Sequence, residues 1–268
     1  MRRFLPGSFW TLALMGYLSM AGCRKDDPAS LIPPPIPDQS FIEEFDTVAS
    51  AFNRGWVPLN NSNPKGSGIW TQGGGLIPIF DPYSSKGSFA GFIAADYLST
   101  SGENDVISNW LISPLITMQN GDKISFYTRT LLLPNAVQSG DSTDYGNNLE
   151  LCINRRNTGT NVGTAFDPST AQYNLATDRG DFELLLTINP PVYNFTYGYW
   201  EYRWAHTDQY LFDPLAFPAN WTRFEATISG LQKPTRGRFA FRYYTLDGGS
   251  NGNATAVGID RVEYTGKQ

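Results

Sequence analysis

The chain has 268 residues and a formal net charge of −5 at pH 7. This acidic balance, without a basic stripe, argues against a nucleic-acid partner, because phosphate binding needs clustered lysine and arginine. One histidine and two cysteines are too few for a zinc site, and beyond the N-terminus no apolar run approaches a transmembrane length.

The first 22 residues have the layout of a secretory signal. Arg2 and Arg3 form a positive start, and the apolar run FWTLALM that follows is too short to span a bilayer well. Small residues then precede Cys23, and this order resembles the lipobox of bacterial lipoproteins. The resemblance implies that residues 1–22 are a signal peptide and that the Cys23 sulfur carries a diacylglycerol anchor. The alternative is an ordinary secretory signal followed by a chance cysteine.

Residues 23–40 are predicted to be the lipidated cysteine and a proline-rich tether. The run SLIPPPIP favours an extended polyproline II rod, and a disordered tether would serve the same purpose. The charged run RKDD directly after Cys23 resembles the surface-export signal of Bacteroidetes lipoproteins. We therefore expect a lipid anchor in the cell outer membrane, with the protein facing the extracellular medium. The alternative is a solvated charge cluster at a flexible terminus.

Residues 41–268 are predicted to form one all-β domain. Short alternating runs recur between Gly, Asn, Asp and Pro residues, and long helical periodicity is absent. This pattern favours an antiparallel β-sandwich. The predicted strands are Phe41–Asp46, Gly91–Ala95, Lys123–Thr130, Asn148–Ile153, Phe182–Ile188, Thr222–Ile228, Arg238–Thr245 and Ala256–Tyr264.

Three blocks of this region resemble cleaved-adhesin, or choice-of-anchor J, domains. They are FIEEFD with NRGW, NWLISP with GDK, and the closing run from NWTRFEATISGL through GRFAFRYYT to GIDRVEY. The resemblance implies a jelly-roll β-sandwich related to galactose-binding, MAM and carbohydrate-binding modules. The segment from Leu131 to Asn220 exceeds the family core, so we expect an enlarged loop insertion there. Trp56, Trp110 and Phe126 are expected in the sandwich core.

By the same resemblance, a structural calcium ion would join acidic residues of the first strand to an aspartate of the last strand. The corresponding residues are Glu43, Glu44, Asp46 and Asp260. Calcium prefers oxygen ligands, and a cation would relieve the repulsion between carboxylates on adjacent strands. The alternative is that Asp260 accepts hydrogen bonds from a neighbouring loop.

Residues 190–212, PPVYNFTYGYWEYRWAHTDQYLF, form the most aromatic stretch of the chain. Exposed Trp and Tyr rings are flat platforms for sugars or anchors for protein interfaces. If this stretch presents a binding face, we expect Trp200, Tyr202 and Trp204 to carry it, with polar contacts from neighbouring Glu201, Arg203 and His206. The alternatives are a strand with a bulge at Gly198 and a hairpin packed on both sides.

These observations predict an adhesion or glycan-binding module without catalysis, whose partner is a glycan or a protein at the cell surface. His206 lacks a nucleophile elbow that would complete a triad, and Cys152 is expected to be packed and inert. One alternative is a structural or protein-interaction lipoprotein of an outer-membrane complex. The other is a glycoside hydrolase, which would need two facing carboxylates in a cleft.

Overall fold

The computed structural model describes residues 36–74, 80–84, 90–165 and 178–267. The unit described below is Asp38–Gln268. Cys23 and the predicted signal peptide lie outside the described residues, as does nearly all of the predicted tether. In the described part of the chain, no helix is long and apolar enough to cross a membrane.

Short strands make up most of the regular structure. The described ranges contain one α-helix, α1 (Val48–Asn53), and a single 3-10 turn at Tyr97–Ser99. The strands, in chain order, are β1 (Phe41–Glu43), β2 (Val57–Asn60), β3 (Thr71–Gln72), β4 (Ile93–Asp96), β5 (Asp105–Ile112), β6 (Ile116–Met118), β7 (Lys123–Thr130), β8 (Leu133–Pro134), β9 (Ser142–Thr143), β10 (Leu149–Asn154), β11 (Glu183–Ile188), β12 (Val192–Asn194), β13 (Tyr199–Glu201), β14 (Thr222–Thr227), β15 (Thr235–Gly248) and β16 (Ala256–Thr265).

The strands form two antiparallel sheets of six strands each. The first sheet has the order β14-β7-β16-β4-β3, and β1 also pairs with β16. The second has the order β11-β10-β15-β5-β2, and β6 also pairs with β15. One apolar core contains side chains from both sheets, so the sheets pack face to face. The predicted all-β class and antiparallel sandwich architecture are confirmed.

Alternation along each strand decides which side chains enter this core. On β10, Leu149, Leu151 and Ile153 point into it, as their spacing predicts. Cys152, between them, is fully buried in a second apolar cluster on the opposite face of the same sheet. Burial raises the pKa of its thiol strongly, because a thiolate would be desolvated there. Cys152 is therefore packed and unreactive, as expected.

Trp56, Phe126 and Trp110 are all buried, but only the first two lie in the core between the sheets. Trp110 lies in the second cluster with Cys152, so its predicted place in the sandwich core is wrong. The physical reason is parity: on β5, Leu111 faces the inner core, so the adjacent Trp110 faces outward. Loops over the outer face then bury the indole.

The outer face of the second sheet also buries a charged network. The Arg242 guanidinium is fully buried and lies over the rings of Trp110 and Tyr244, 5.1 and 4.0 Å from their centroids. Glu150 accepts hydrogen bonds from Arg242 at 3.3 Å and from Arg179 at 2.5 Å. Burial alone would raise the pKa of Glu150, but the two arginines outweigh it and lower that pKa. Each charge is therefore compensated inside the protein.

All eight predicted strands are present, with small differences at their ends. The largest differences are at β15, which extends three residues beyond its predicted bounds at each end, and at β1, which stops at Glu43 instead of Asp46. Phe45 adopts a positive φ of 52°, which interrupts the extended backbone of β1, and α1 follows from Val48. Strand β5 has no counterpart among the predicted strands, because apolar and polar side chains do not alternate along DVISNWLI.

The long segment between Leu131 and Asn220 contributes both to the sandwich and to structures outside it. Its strands β10 and β11 belong to the second sheet. The pairs β8–β9 and β12–β13 form two separate two-stranded ribbons. The β12–β13 ribbon carries the aromatic stretch.

Candidate binding site

The aromatic stretch folds as a β-hairpin. Strand β12 pairs with β13 in antiparallel register, with Tyr193 opposite Trp200. The connecting turn closes with the Gly198 N–H donating to the Asn194 carbonyl at 2.8 Å, and Gly198 has a φ of +76°. The stretch is thus a hairpin and not one strand with a bulge. The tip side chains Phe195 and Tyr197 are 82% and 71% exposed, so the hairpin is not packed on both sides.

The base of this hairpin forms one wall of a cleft of about 380 Å³. The three residues predicted from sequence, Trp200, Tyr202 and Trp204, all line it. The other lining residues come from the same segment, from the end of β15 and from the loop after it: Tyr199, Glu201, His206, Asp247 and Asn253. The structure therefore brings the three aromatic candidates together with neighbouring carboxylate, imidazole and amide groups.

Tyr202 is buried and fastens the hairpin to the sandwich. Its hydroxyl oxygen accepts a hydrogen bond from the Leu246 N–H at 2.9 Å, and its ring packs with Leu246 and Tyr244. Burial raises the pKa of Tyr202 well above its ordinary value, so the phenol remains neutral. Tyr202 forms the floor of the cleft.

Trp200 and Trp204 are half-buried and form its aromatic walls. Trp200 meets Tyr193 edge to face at 5.2 Å between ring centroids. Trp204 meets Tyr145 in the same manner at 5.4 Å. Next to Tyr145, Gly146 has a φ of +86°, and a Cβ there would lie 2.6 Å from the Tyr202 Cβ. Glycine at this position therefore lets the aromatic segment approach the 145–148 loop closely.

Two aspartates hold the backbone that follows Trp204. Asp144 accepts a hydrogen bond from the Ala205 N–H at 2.8 Å. Asp141 Oδ1 accepts hydrogen bonds from the N–H groups of Thr207 and Asp208, each at 3.0 Å. These hydrogen bonds to buried carboxylates hold the segment in place, because its backbone makes few strand-type hydrogen bonds of its own.

Asp141 also orients the only histidine. The His206 Nδ1 atom lies 2.6 Å from Asp141 Oδ2, and the imidazole lies 6.3 Å from the Trp204 ring, centroid to centroid. Burial alone would raise the pKa of Asp141, but hydrogen bonds from Asn135, His206 and the neighbouring backbone hold it well below its usual range. The imidazole is thus presented to the cleft in one orientation.

Asp144 is fully buried, and its pKa responds differently. Loss of solvation raises the pKa of Asp144 to about 6, although three backbone N–H groups donate to the carboxylate. The donors belong to Gly146, Asn147 and Ala205. Stability of this region should therefore depend on pH.

Two carboxylates give the cleft a negative character. The Glu201 oxygens each accept a hydrogen bond of 3.2 Å from the Asn194 amide. Asp247 has a positive φ of 51°, and burial together with the nearby Asp105 charge raises the pKa of its carboxyl. Among the described residues that line the cleft, none is lysine or arginine. Arg203 does not line it and pairs instead with Asp213 at 3.5 Å, against the expected polar contact.

The first and last strands are neighbours, as the calcium hypothesis requires, with Glu43 opposite Val262. The carboxylates, however, have other partners. Glu43 pairs with Arg54 at 2.5 Å and Glu44 with Arg261 at 2.6 Å. Within the described ranges, no group of three or more His, Cys, Asp or Glu side chains is placed to hold a metal.

Asp260 lies in a different environment from the other three calcium candidates. It accepts hydrogen bonds from the N–H groups of Tyr83 and Ser84, at 2.8 and 3.0 Å. Burial raises its pKa to about 6. This is the loop-binding role that was the alternative to calcium, while Asp46 is exposed in the turn before α1. Calcium binding at these residues stays a prediction.

Sequence reasoning did not find the second side of the cleft. Asp247 and Asn253 belong to the glycine-rich run DGGSNGN, more than 40 residues after the aromatic stretch begins to turn back at Gly198. No local pattern places this run beside the hairpin. The long strand β15 brings this run beside the hairpin, because the N–H of Leu246 near its end donates a hydrogen bond to the Tyr202 hydroxyl.

The fold is similar to that of solved cleaved-adhesin domains. The K1 cleaved adhesin domain of Lys-gingipain from Porphyromonas gingivalis W83 aligns over 85% of this chain and 99% of its own, at 14% identity and a TM-score of 0.46. The K3 domain of the same protein has the same coverage, at 13% identity and a TM-score of 0.43.

A carbohydrate-binding module is also similar in fold. The family 11 module from Clostridium thermocellum, solved with a beta-1,3-1,4-mixed-linked tetrasaccharide, aligns over 85% of this chain and 95% of its own, at 9% identity and a TM-score of 0.38. No protein-family model matches the chain, and no curated protein matches it. At such low identities and TM-scores, these similarities assign neither a family nor a function to this chain.

Proposed function

We propose that this protein is a glycan-binding adhesion module and that the aromatic cleft is its binding site. The lipid on Cys23 would hold the domain at the outer membrane, and the proline-rich tether would carry it outward. The module binds its ligand without changing it.

One observation carries this proposal: Trp200 and Trp204 lie in one cleft with polar side chains suited to hydroxyl groups. Sugar rings present a C–H face that packs on an indole, and hydroxyls at the ring edge that need donors and acceptors. Glu201, His206 and Asn253 supply such groups around the rings. The backbone is held by Asp141 and Asp144, described above, so the site is largely preformed and binding would cost little ordering.

The test is a glycan-array and polysaccharide pull-down screen on the full-length chain in detergent, with and without calcium. The expected result is binding to a defined set of glycans that Trp200→Ala or Trp204→Ala abolishes while circular dichroism shows an intact fold. An absence of binding by the folded wild-type protein would refute the proposal. Release of reducing sugars from a bound glycan would show hydrolysis, the chemistry that two carboxylates in a cleft could support.

A second function is favoured by a separate observation. Several large apolar side chains outside the cleft are exposed, among them Phe195, Tyr210, Phe212 and Leu215, at 82%, 88%, 70% and 63%. Exposed aromatic residues of this kind are typical anchors of protein interfaces. A structural or protein-interaction lipoprotein would use them. Crosslinking on intact cells would then capture a partner that Tyr210→Ala and Phe212→Ala lose and that Trp204→Ala retains.

A further inference from the structure

We infer that the cleft selects glycans that carry a protonated amine, as in hexosamines without an N-acetyl group. This inference rests on the proposed glycan-binding function and specifies its ligand class. It comes from the charge of the cleft, which aromatic platforms alone do not explain.

The first step concerns the carboxylates. Glu201 and Asp247 line the cleft from opposite parts of the chain, one on β13 and one at the end of β15. Within the described residues, neither carboxylate forms an ion pair with an arginine or lysine. Ion pairs do occur elsewhere in the described chain, for example at Glu43 and Glu150, whereas in the cleft Glu201 is half-buried and Asp247 is exposed. The cleft therefore keeps negative charge without a protein cation.

The second step concerns the cation that would complete the site. Asp247 directly precedes Gly248, which pairs with Asp105 across β15 and β5, so the two carboxylates are near each other and their charges repel. A ligand ammonium beside Asp247 would relieve this repulsion and add an ion pair. The faces of Trp200, Trp204 and Tyr199 attract a cation as well, through the negative potential of the ring. Both the carboxylates and the aromatic rings of the cleft therefore favour an ammonium group.

The third step separates this ligand from other glycans. A uronic acid, a sialic acid or a sulfated sugar would place an anion beside Glu201 and Asp247, with no arginine or lysine in the described lining to receive it. A neutral sugar would stack on the indoles but leave both carboxylates without a cation. The cleft is open, with Tyr199 half exposed, so a sugar unit within an oligosaccharide can reach it.

The test is calorimetric titration of the full-length chain in detergent, at pH 6, with three oligosaccharides of equal length. They are β-1,4-linked glucosamine, its N-acetylated form and galacturonate, which present a cationic, a neutral and an anionic sugar. We expect the glucosamine ligand to bind about tenfold more tightly than the N-acetylated ligand, the gain typical of one ion pair with a cation–π contact. The galacturonate ligand should not bind detectably.

The variant Asp247→Asn, which keeps the side-chain shape, should remove this preference and leave the weaker neutral binding in place. Glu263→Gln is the matched control: it removes one negative charge from β16 at a side chain outside the cleft. It should leave the preference unchanged, which separates the site from general attraction of a polycation to an acidic protein.

Equal affinity for the glucosamine and N-acetylated ligands would overturn the inference and leave glycan binding intact. Equal loss of preference in Asp247→Asn and Glu263→Gln would also overturn it. Binding of lysine-rich peptides as tightly as the glucosamine oligosaccharide would overturn it too, by showing that charge alone is selected. Failure of every glycan in the array would instead refute the proposed function itself.

Discussion

The buried Asp144 should make the stability of the protein depend on pH in a specific direction. Its pKa is raised from an ordinary 3.8 to about 6 by loss of solvation. The difference corresponds to about 3 kcal/mol of unfolding free energy. Above pH 6 the Asp144 carboxyl is ionised in the folded and the unfolded chain. The folded chain is then destabilised by the full free energy of burying the charged carboxylate. As pH falls through 6, the folded chain takes up a proton that the unfolded chain does not yet bind, so stability rises.

The measurement is urea unfolding, followed by tryptophan fluorescence, of the wild type and Asp144→Asn at several pH values between about 7 and 4.5. Because the variant cannot titrate at this position, the difference in unfolding free energy isolates Asp144 from the other carboxyls. We expect the wild type to gain about 2 kcal/mol relative to the variant over this range, with the remainder gained at lower pH. A flat difference, or one that falls as pH falls, would refute the reasoning. A flat difference would mean that the three backbone N–H donors balance burial, and a falling one that they outweigh it.

Three further predictions concern the anchor, the buried network and the floor of the cleft. Cys23→Ser should abolish incorporation of labelled fatty acid and move the protein from the detergent to the aqueous phase, because the thioether cannot form. Glu150→Gln should lower the unfolding free energy by about 3 kcal/mol, because the buried Arg242 and the half-buried Arg179 lose their counter-charge. Gly146→Ala should destabilise the protein by about 2 kcal/mol and weaken glycan binding, because its positive φ and the contact with Tyr202 leave no room for a Cβ.

Each of these predictions has a control or a contradicting result. A serine variant that is still acylated would exclude Cys23 as the anchor. Glu225→Gln breaks two surface ion pairs and should cost less than about 1 kcal/mol, so an equal cost at Glu150 would contradict the buried-network argument. Gly140 has nearly the same φ as Gly146, but a Cβ there would meet no atom within 4 Å. If Gly140→Ala weakened glycan binding as much as Gly146→Ala, the close approach would not matter.

The sandwich could be predicted from sequence where apolar and polar side chains alternate along a strand. The strand Lys123–Thr130 is predicted with its observed ends because alternation is regular along it. The strand β5 is not, because DVISNWLI shows no period of two. Burial of both faces of β5 explains why sequence alone places Trp110 in the wrong core.

The aromatic side of the cleft could also be predicted, since Trp200 and Trp204 are concentrated in one short stretch. The polar side could not, because Asp247 reaches the cleft only through the tertiary path of β15. Ion pairs are equally invisible to local patterns. Glu44, directly after β1, pairs with Arg261 of β16 at a sequence separation of 217.

The central claim is that the aromatic cleft binds a glycan, and affinity measurements on cleft variants test it most directly. Titration of the best array ligand should show at least about a tenfold loss of affinity for Trp204→Ala and Tyr199→Ala, the loss expected when a stacking ring is removed. Phe195→Ala, which removes an exposed ring at the hairpin tip outside the cleft, should bind as the wild type does. Unchanged affinity in both cleft variants, with their folds intact, would contradict the account.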